Sequence, residues 1–354
     1  MYTVAICIPS YNNVNTMRRL MDSIKIQTFR NFVVIITDDS NNRKIEELVF
    51  EYKDVAVVYH KNEIRLGLSA NTNMAIEMAQ KYEPKYIKIM YHDDFFSFQD
   101  SLFKMVSLLE NDSQSDIAFC GTYQVSDRDR HARAITEEHL MQLKNDFRIL
   151  FKGNYIGAPS ATIVRNIGIY MDINLVWEVD VEWYLRILAH NSKFAWSTEP
   201  LISVTISNTQ MTNYCKSNKE LMLEEKIYIY DKHSVLQEEK FMRDIIYEVK
   251  IYFNQKKIIS FCKEQKKVYI YGAGNMGKAC CQFLQSADCK FEAFLVSDGR
   301  REKECLDGHP IFEIQEIKEK LDLNSHVILA INDEEARKIV MKQLEQLKIG
   351  FCFW

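Results

Sequence analysis

Apolar and polar positions alternate between two periods along the N-terminal half of the chain. Residues 4–8 form a short apolar run closed by Pro9-Ser10-Tyr11-Asn12-Asn13. An apolar run of that length, bounded by turn residues, predicts a buried strand. Met17, Leu20, Met21 and Ile24 then recur at helical spacing and predict an amphipathic helix. A second strand over 33–37 ends in Asp38-Asp39, and a helix over 44–52 leads to a third strand at 55–60. Arg65-Leu66-Gly67 turns into a helix carrying Asn71, Asn73, Met74 and Met78. The run 86–94, YIKIMYHDD, is a fourth strand that ends in Asp93-Asp94, followed by a helix with Leu102, Met105, Val106 and Leu109 on one face. Strand and helix in regular alternation predict an α/β fold with a parallel-type sheet and right-handed crossovers.

The pattern loosens after this. A strand is expected at 117–121 and a solvated loop over the charge run 126–133, SDRDRHAR. Gly157-Ala158-Pro159-Ser160 forms a turn before another strand, 175–190 reads as a loop entering a helix, and 201–206 as a strand. From about residue 214 to 266 glycine and proline vanish, and helices linking two domains are expected, with Phe241, Ile245, Val249 and Tyr252 sharing a face. A new strand at 268–271, the turn Gly272-Ala273-Gly274-Asn275-Met276-Gly277, strands at 291–296 and 327–331 and two amphipathic helices predict a small Rossmann-like α/β unit. The expected domains are therefore 1–213, a helical linker 214–266, and 267–354.

Composition narrows the class. With 354 residues, 47% hydrophobic and 27% charged, the chain is an ordinary globular protein long enough for two cores. A net charge of −4 leaves no whole-chain footprint for nucleic acid. Nine cysteines without a CxxC pair argue against a disulfide framework or zinc ribbon and for thiols in a reducing cytosol. The N-terminal stretch reads as a first strand rather than a signal peptide, and no apolar run reaches membrane-spanning length, so a cytoplasmic protein is expected. The cluster Lys256, Lys257, Lys263, Lys266, Lys267 reads as a solvated face, with peripheral contact to anionic lipid as the alternative.

Two strands of the first domain end in acid pairs, and in a parallel sheet those ends lie on one edge, where α/β folds place ligands. All four carboxylates, Asp38, Asp39, Asp93 and Asp94, are expected to converge there. Such a cluster is costly unless it meets cations or hydrogen-bond donors. A nucleoside diphosphate with a divalent metal supplies both. Taken alone, HDDFF is equally compatible with a solvated turn.

In order and spacing, VAICIPSYNN, IKIQTF, VVIITDDSNN, RLGLSANTNMAIEMA and YHDDFF resemble family 2 glycosyltransferases of GT-A fold, over residues 1–213. The resemblance implies that Pro9, Tyr11, Asn12 and Asp39 hold the base of a nucleotide-sugar, and that Asp93 touches the ribose or sugar. It further implies that Asp94 ligates Mn²⁺ or Mg²⁺ and that Asn73 lies near the donor, with Thr72 where relatives carry Arg. In this family an acid six positions before an Arg, at the head of a helix, is the catalytic base; Asp180 and Arg186 have that arrangement. Val179 stands where another acid is common, and Glu178 is a weaker substitute. Relatives often carry a His or Arg near the diphosphate, and Asn208 or Gln210 would have to replace it. Trp177 and Trp183 are expected in the core rather than stacked on a sugar.

Function follows as an expectation: an inverting, metal-dependent transferase moving a hexosyl or N-acetylhexosaminyl group from a nucleotide-sugar, most simply a UDP-sugar, to a glycan or lipid-linked acceptor in surface polysaccharide synthesis. A homo-oligomer is compatible with this. The turn GAGNMG offers a phosphate or nucleotide site made by Gly272, Gly274 and Gly277, with Asp298 at the end of the next strand; a tight packing turn explains the same residues. An NAD(P)-dependent oxidoreductase run by GAGNMG and a catalytically inactive sugar-nucleotide sensor are the competing readings.

Overall fold

The computed structural model describes residues 2–126, 128–206, 218–264, 267–322 and 324–354. The chain divides into two compact units, Met1–Glu238 and Glu239–Trp354.

The first unit is built on β1 (Val4–Ser10), β2 (Phe32–Asp38), β3 (Val57–Lys61), β4 (Tyr86–Ile89), β5 (Phe95–Phe96), β6 (Ile117–Val125), β7 (Arg130–Arg133), β8 (Thr162–Arg165) and β9 (Phe194–Thr205). They form one sheet in the order β3-β2-β1-β4-β8-β6-β9-β5, with β7 paired to β6. The parallel core β3-β2-β1-β4 matches the expected alternation. Beyond it the sheet is mixed, because β8 runs antiparallel to both β4 and β6. The charge run expected as a loop contains β7, a fully exposed strand. Its backbone pairs with Thr122–Val125 of β6, so pairing overrides a composition poor in β-formers.

Around the sheet lie α1 (Val14–Lys25), α2 (Lys44–Val49), α3 (Leu68–Ala79), α4 (Ser101–Asn111), α5 (Glu137–Asn145), α6 (Val179–His190), α7 (Lys219–Lys232) and α8 (Ser234–Gln237). Helix α1 starts where the Asn13 side chain accepts the Thr16 N–H at 3.2 Å. Its apolar stripe, Met17, Leu20, Met21 and Ile24, is fully buried with Val4, Ile6, Ile8, Val34 and Ile36 in one core. Burial of that kind contributes about 1.5–3 kcal/mol per large aliphatic side chain.

The second unit holds α9 (Lys240–Lys263), β10 (Lys267–Tyr271), α10 (Asn275–Ser286), β11 (Ala293–Val296), β12 (Cys305–Leu306), β13 (His309–Glu313), α11 (Ile314–Ile317), β14 (Ser325–Leu329), α12 (Glu334–Gln346) and β15 (Gly350–Phe353). Its sheet order is β12-β13-β11-β10-β14-β15, parallel except for the β12–β13 pair. The stretch 214–266, expected as a separate linker, is divided between the units: α7 and α8 belong to the first and α9 to the second. On α9 the buried residues are Met242, Ile246, Val249 and Ile258, while Phe241 points outward at 44% exposure. The buried stripe thus runs one position later than the expected one at its start.

The turn Gly272–Gly277 sits between β10 and α10. Gly272 has φ +112°, and a Cβ there would lie 2.5 Å from the Ala330 carbonyl oxygen; one on Gly277 would lie 1.8 Å from that of Gly272. Packing alone therefore demands glycine at both positions. Gly274 faces open space, and the Asp298 carboxylate accepts the Gln315 N–H at 3.1 Å. Gly272→Ala and Gly277→Ala should each destabilise the second unit by about 1–3 kcal/mol. Gly274→Ala should stay within ~0.5 kcal/mol of the parent. Calorimetric unfolding of the full chain checks both, and equal tolerance at all three positions would contradict the packing account.

Candidate active site

The parallel register brings three chain ends to one sheet edge. Ser10 pairs with Asp38 across β1 and β2, the Asp39 N–H donates to the Ser10 carbonyl at 3.0 Å, and that of Met90 to the Cys7 carbonyl at 2.9 Å. Neighbouring strand residues point to opposite faces, and the first acid pair is split by this. Asp38 is fully buried, accepting from Tyr59 Oη at 2.8 Å, the Ser40 N–H at 2.9 Å and Ser10 Oγ at 3.1 Å. It does not reach the cleft, so the expected convergence of four carboxylates is corrected to three. Asp39 lines the cleft while accepting from Asn62 Nδ2 at 2.7 Å and the Gly67 N–H at 2.9 Å.

A cavity of about 650 Å³ opens on this edge, lined by Pro9, Tyr11, Asp39, Arg65, Asp93 and Trp177 among others. Arg65 stacks its guanidinium over the Tyr11 ring at 4.4 Å. Asn12, at φ +58°, gives its N–H to Ser40 Oγ at 2.7 Å and lies in an adjoining groove with Tyr11. Asn73 lines neither cavity described here. Its amide is spent on the Met171 backbone, donating and accepting at 2.8 Å. Asn71, two residues earlier and so on another face of α3, lines the cavity instead. Trp183 is core, at 2% exposure, whereas Trp177, also expected in the core, forms cavity wall.

A second cavity of about 400 Å³ includes Asp94, Gln124, Arg133, Tyr155 and Gly157 in its lining. The two cavities share Tyr91, Asp93, Asp180 and Thr205. Asp94 is 2% exposed and accepts the Thr205 N–H at 3.1 Å. Burial and then the Asp93 charge push its carboxyl up to about 8, against hydrogen bonds from Ser160 and Thr205 and the charge of Lys88. Lys88 is itself fully buried in β4, and burial brings its ammonium down to about 7. Arg19 donates to the Asp93 carbonyl at 2.9 Å and to Thr205 Oγ1 at 2.6 Å, tying the end of β9 to the acid pair.

Asp180 stands in the first turn of α6, on the wall common to both cavities. Burial raises its carboxyl to about 7; a hydrogen bond from Tyr91 Oη opposes this, and the charge of Glu178 adds to it. A carboxylate in that range is suited to accept a proton near neutrality. Glu178 is buried and paired with Lys226 Nζ at 2.9 Å. Arg186 does not meet Asp180. It forks onto Glu182, one helical turn away, with two bonds of 2.8 Å. Glu182 also binds Lys232 Nζ at 2.7 Å and His233 Nε2 at 3.0 Å.

Asp93 and Asp94 offer hard oxygen ligands, and the raised Asp94 carboxyl marks negative charge short of a positive partner. Among the described residues no three or more His, Cys, Asp or Glu are placed to hold a metal. The residues fit a cation that takes one or two carboxylates and completes its shell with phosphate and water, as Mg²⁺ does. Asn208 and Gln210 fall outside the described residues. Sequence reasoning assigned no role to Arg65, Tyr91, Thr205 or Glu225; of these Arg65, at the head of the RLG turn, and Tyr91, adjoining the HDD run, carried a local signal.

A cleft at the carboxyl edge of a β3-β2-β1-β4 sheet, with an acid pair and the Asp180 carboxylate on the wall between two cavities, has the architecture of the GT-A glycosyltransferase fold. Residues 5–167 match the Glycosyl transferase family 2 model and residues 267–344 the PglD N-terminal domain. The chain thus carries a glycosyltransferase family 2 domain over residues 5–167 and a PglD N-terminal-type domain over residues 267–344. An uncharacterized glycosyltransferase of Methanocaldococcus jannaschii is 28% identical over 233 residues, 64% of this chain and 77% of that protein. One from Rickettsia typhi is 25% identical, over 59% of this chain and 66% of its own length. An Escherichia coli UDP-Glc:α-D-GlcNAc-diphosphoundecaprenol β-1,3-glucosyltransferase is 23% identical, over 54% of this chain and 72% of its own. Staphylococcus aureus TarS 1–349 in complex with UDP-GlcNAc shares the fold, with TM-score 0.54, 15% identity, and coverage of 70% of this chain and 71% of that one.

The Glu182 cluster makes a testable stability claim. Burial pushes its carboxyl up, but His233, Arg186 and Lys232 outweigh burial and hold it at about 2, below the ordinary 4.5. A depressed carboxyl contributes stability that is present above about pH 4.5 and lost as pH falls toward about 2. Glu182→Gln should cost about 3–5 kcal/mol at neutral pH and flatten that acid limb. Denaturant titrations at several pH values check it; an unchanged limb would contradict the assignment.

Proposed function

We propose that the chain is an inverting glycosyltransferase moving a sugar from a UDP-sugar to a hydroxyl of a glycan or lipid-linked acceptor. The observation that carries this reading is the wall of Asp93 and Asp180 shared by two cavities. The larger cavity is the donor side, with the Tyr11–Arg65 pair and Asp39 as the proposed cradle of the base and Asp93 beside the ribose or sugar. The smaller is the acceptor side. The name of the E. coli relative, a UDP-glucose transferase to a diphosphoundecaprenol-linked sugar, supports a UDP donor and a lipid-linked acceptor; a role in surface polysaccharide synthesis is the setting we propose for such a transfer. No helix among the described residues is long and apolar enough to cross a membrane.

In the proposed reaction Asp180 accepts the acceptor hydroxyl's proton as that oxygen attacks the anomeric carbon from the side opposite the diphosphate. The Tyr91 hydroxyl fixes one oxygen of Asp180, leaving the other for the proton. Thr205 and Ser160 hold the Asp94 carboxylate in place. A divalent cation, Mn²⁺ or Mg²⁺, held by Asp94 would supply positive charge for the departing diphosphate.

Asp180→Asn should lower UDP-sugar turnover by ~10²- to 10⁴-fold while leaving UDP affinity intact. Turnover should rise with pH through about 7, as Asp180 loses its proton, and the variant should lack that limb. Asp94→Ala should remove the dependence of UDP affinity on Mn²⁺. Released UDP and calorimetric titration read these out across a panel of nucleotide-sugars. Transfer within a few-fold of the parent in Asp180→Asn would refute the assignment.

A further inference from the structure

We infer that Glu225 and Lys226 of α7 are positioning residues for Asp180: the first fixes the turn that aims it, the second balances the charge beside it. This rests on the reading of Asp180 as proton acceptor.

Helix α6 lacks a side-chain cap of its own; Glu178, at the N-cap, makes no such bond. A helix entry ordinarily borrows an oxygen from a local Ser, Thr, Asp or Asn. Here Glu225, from α7, instead holds the backbone amides of the turn that leads into the helix. Its carboxylate accepts the N–H groups of Val176 at 2.6 Å, Trp177 at 2.9 Å and Glu178 at 2.8 Å, and it is only 5% exposed. Asp180 follows two residues later. Val176 and Trp177, in the same turn, line the larger cavity. One carboxylate therefore fixes both a wall of the donor side and the approach of the proton acceptor.

Lys226 acts through Glu178. Its ammonium lies 2.9 Å from the Glu178 carboxylate and donates to the Phe151 carbonyl at 2.8 Å. Glu178 is the negative charge that strengthens the hold of Asp180 on its proton. The groups facing Asp180 are Tyr91 after β4, Tyr184 on α6 and Glu178 in the entry turn, with Asp93 across the shared wall. Helix α7 has further anchors: Lys232 bonds Asp172 at 2.6 Å and Glu182 at 2.7 Å. Loss of the Glu225 contacts alone should leave α7 docked.

The test uses the full chain with Glu225→Gln, Glu225→Asp and Lys226→Gln. Turnover of UDP-glucose and UDP-N-acetylglucosamine with Mn²⁺ is one readout. The other is the carboxyl titration of Asp180 by NMR of ¹³C-labelled protein, assigned by difference from Asp180→Asn. Glu225→Gln, with one acceptor oxygen in place of two, should lower kcat by ~10- to 100-fold with little change in donor KM, and Glu225→Asp should recover part of it. Lys226→Gln should move the Asp180 midpoint up by roughly half a pH unit or more, because the Glu178 charge loses its partner. Parental kcat and midpoint in all three, with Asp180→Asn inactive, would overturn the inference. Retained turnover in Asp180→Asn would overturn the functional reading instead. Should Glu225→Gln not fold, or neither sugar nucleotide turn over, the midpoint in Lys226→Gln decides.

Discussion

A carboxylate taken out of water has to find donors or a cation, and that constraint sorts the acids of the first unit. Asp38 meets Ser10, Ser40 and Tyr59; Asp39 meets Asn62 and the Gly67 amide; Glu182 meets Arg186, Lys232 and His233. These acids hold chain segments together. Asp94 is also withdrawn from water and Asp180 partly so, yet both grip their protons more tightly than usual and both border cavities. Incomplete satisfaction of a buried charge is where chemistry has room to act. Asp94 and Asp180 are thus distinguished from the other acids by what their neighbours fail to supply.

The sheet decides where those acids lie. Because β1 runs parallel to both β2 and β4, their carboxyl ends share an edge, and residues far apart in sequence share a cleft. Tethers across the edge then fix the detail. Arg19, from α1, links the Asp93 backbone to Thr205 at the end of β9. Ser160 Oγ, from the turn before β8, accepts the Tyr91 N–H at 3.0 Å. The wall between the cavities is assembled from the ends of β4, α6 and β9, braced by a helix and a turn.

The parallel core was legible because its strands are continuous apolar runs and its helices carry plain stripes; Met17, Leu20, Met21 and Ile24 are all inside. The short exposed β7 was not, since nothing in SDRDRHAR favours a strand and only backbone pairing with β6 makes one. The acid pair at 93–94 and the placement of Asp180 could be read from local motifs. The inward turn of Asp38, the use of Asn73 by Met171 and the partnership of Arg186 with Glu182 could not. Each depends on a partner or a face that sequence spacing does not specify. Glu225 was invisible for the same reason: it lies amid the charged helices of residues 214–266, where one glutamate looks like another.

The brace that α7 provides has a practical side for anyone excising the catalytic module. The family match ends at residue 167 and the motif-based resemblance at 213, but the amides ahead of α6 are held by residue 225. A truncation at 213 would keep the whole sheet and discard the clasp behind it; one at 167 would remove β9 and α6 as well. A fragment that runs to Glu238, where the first compact unit closes, keeps that clasp.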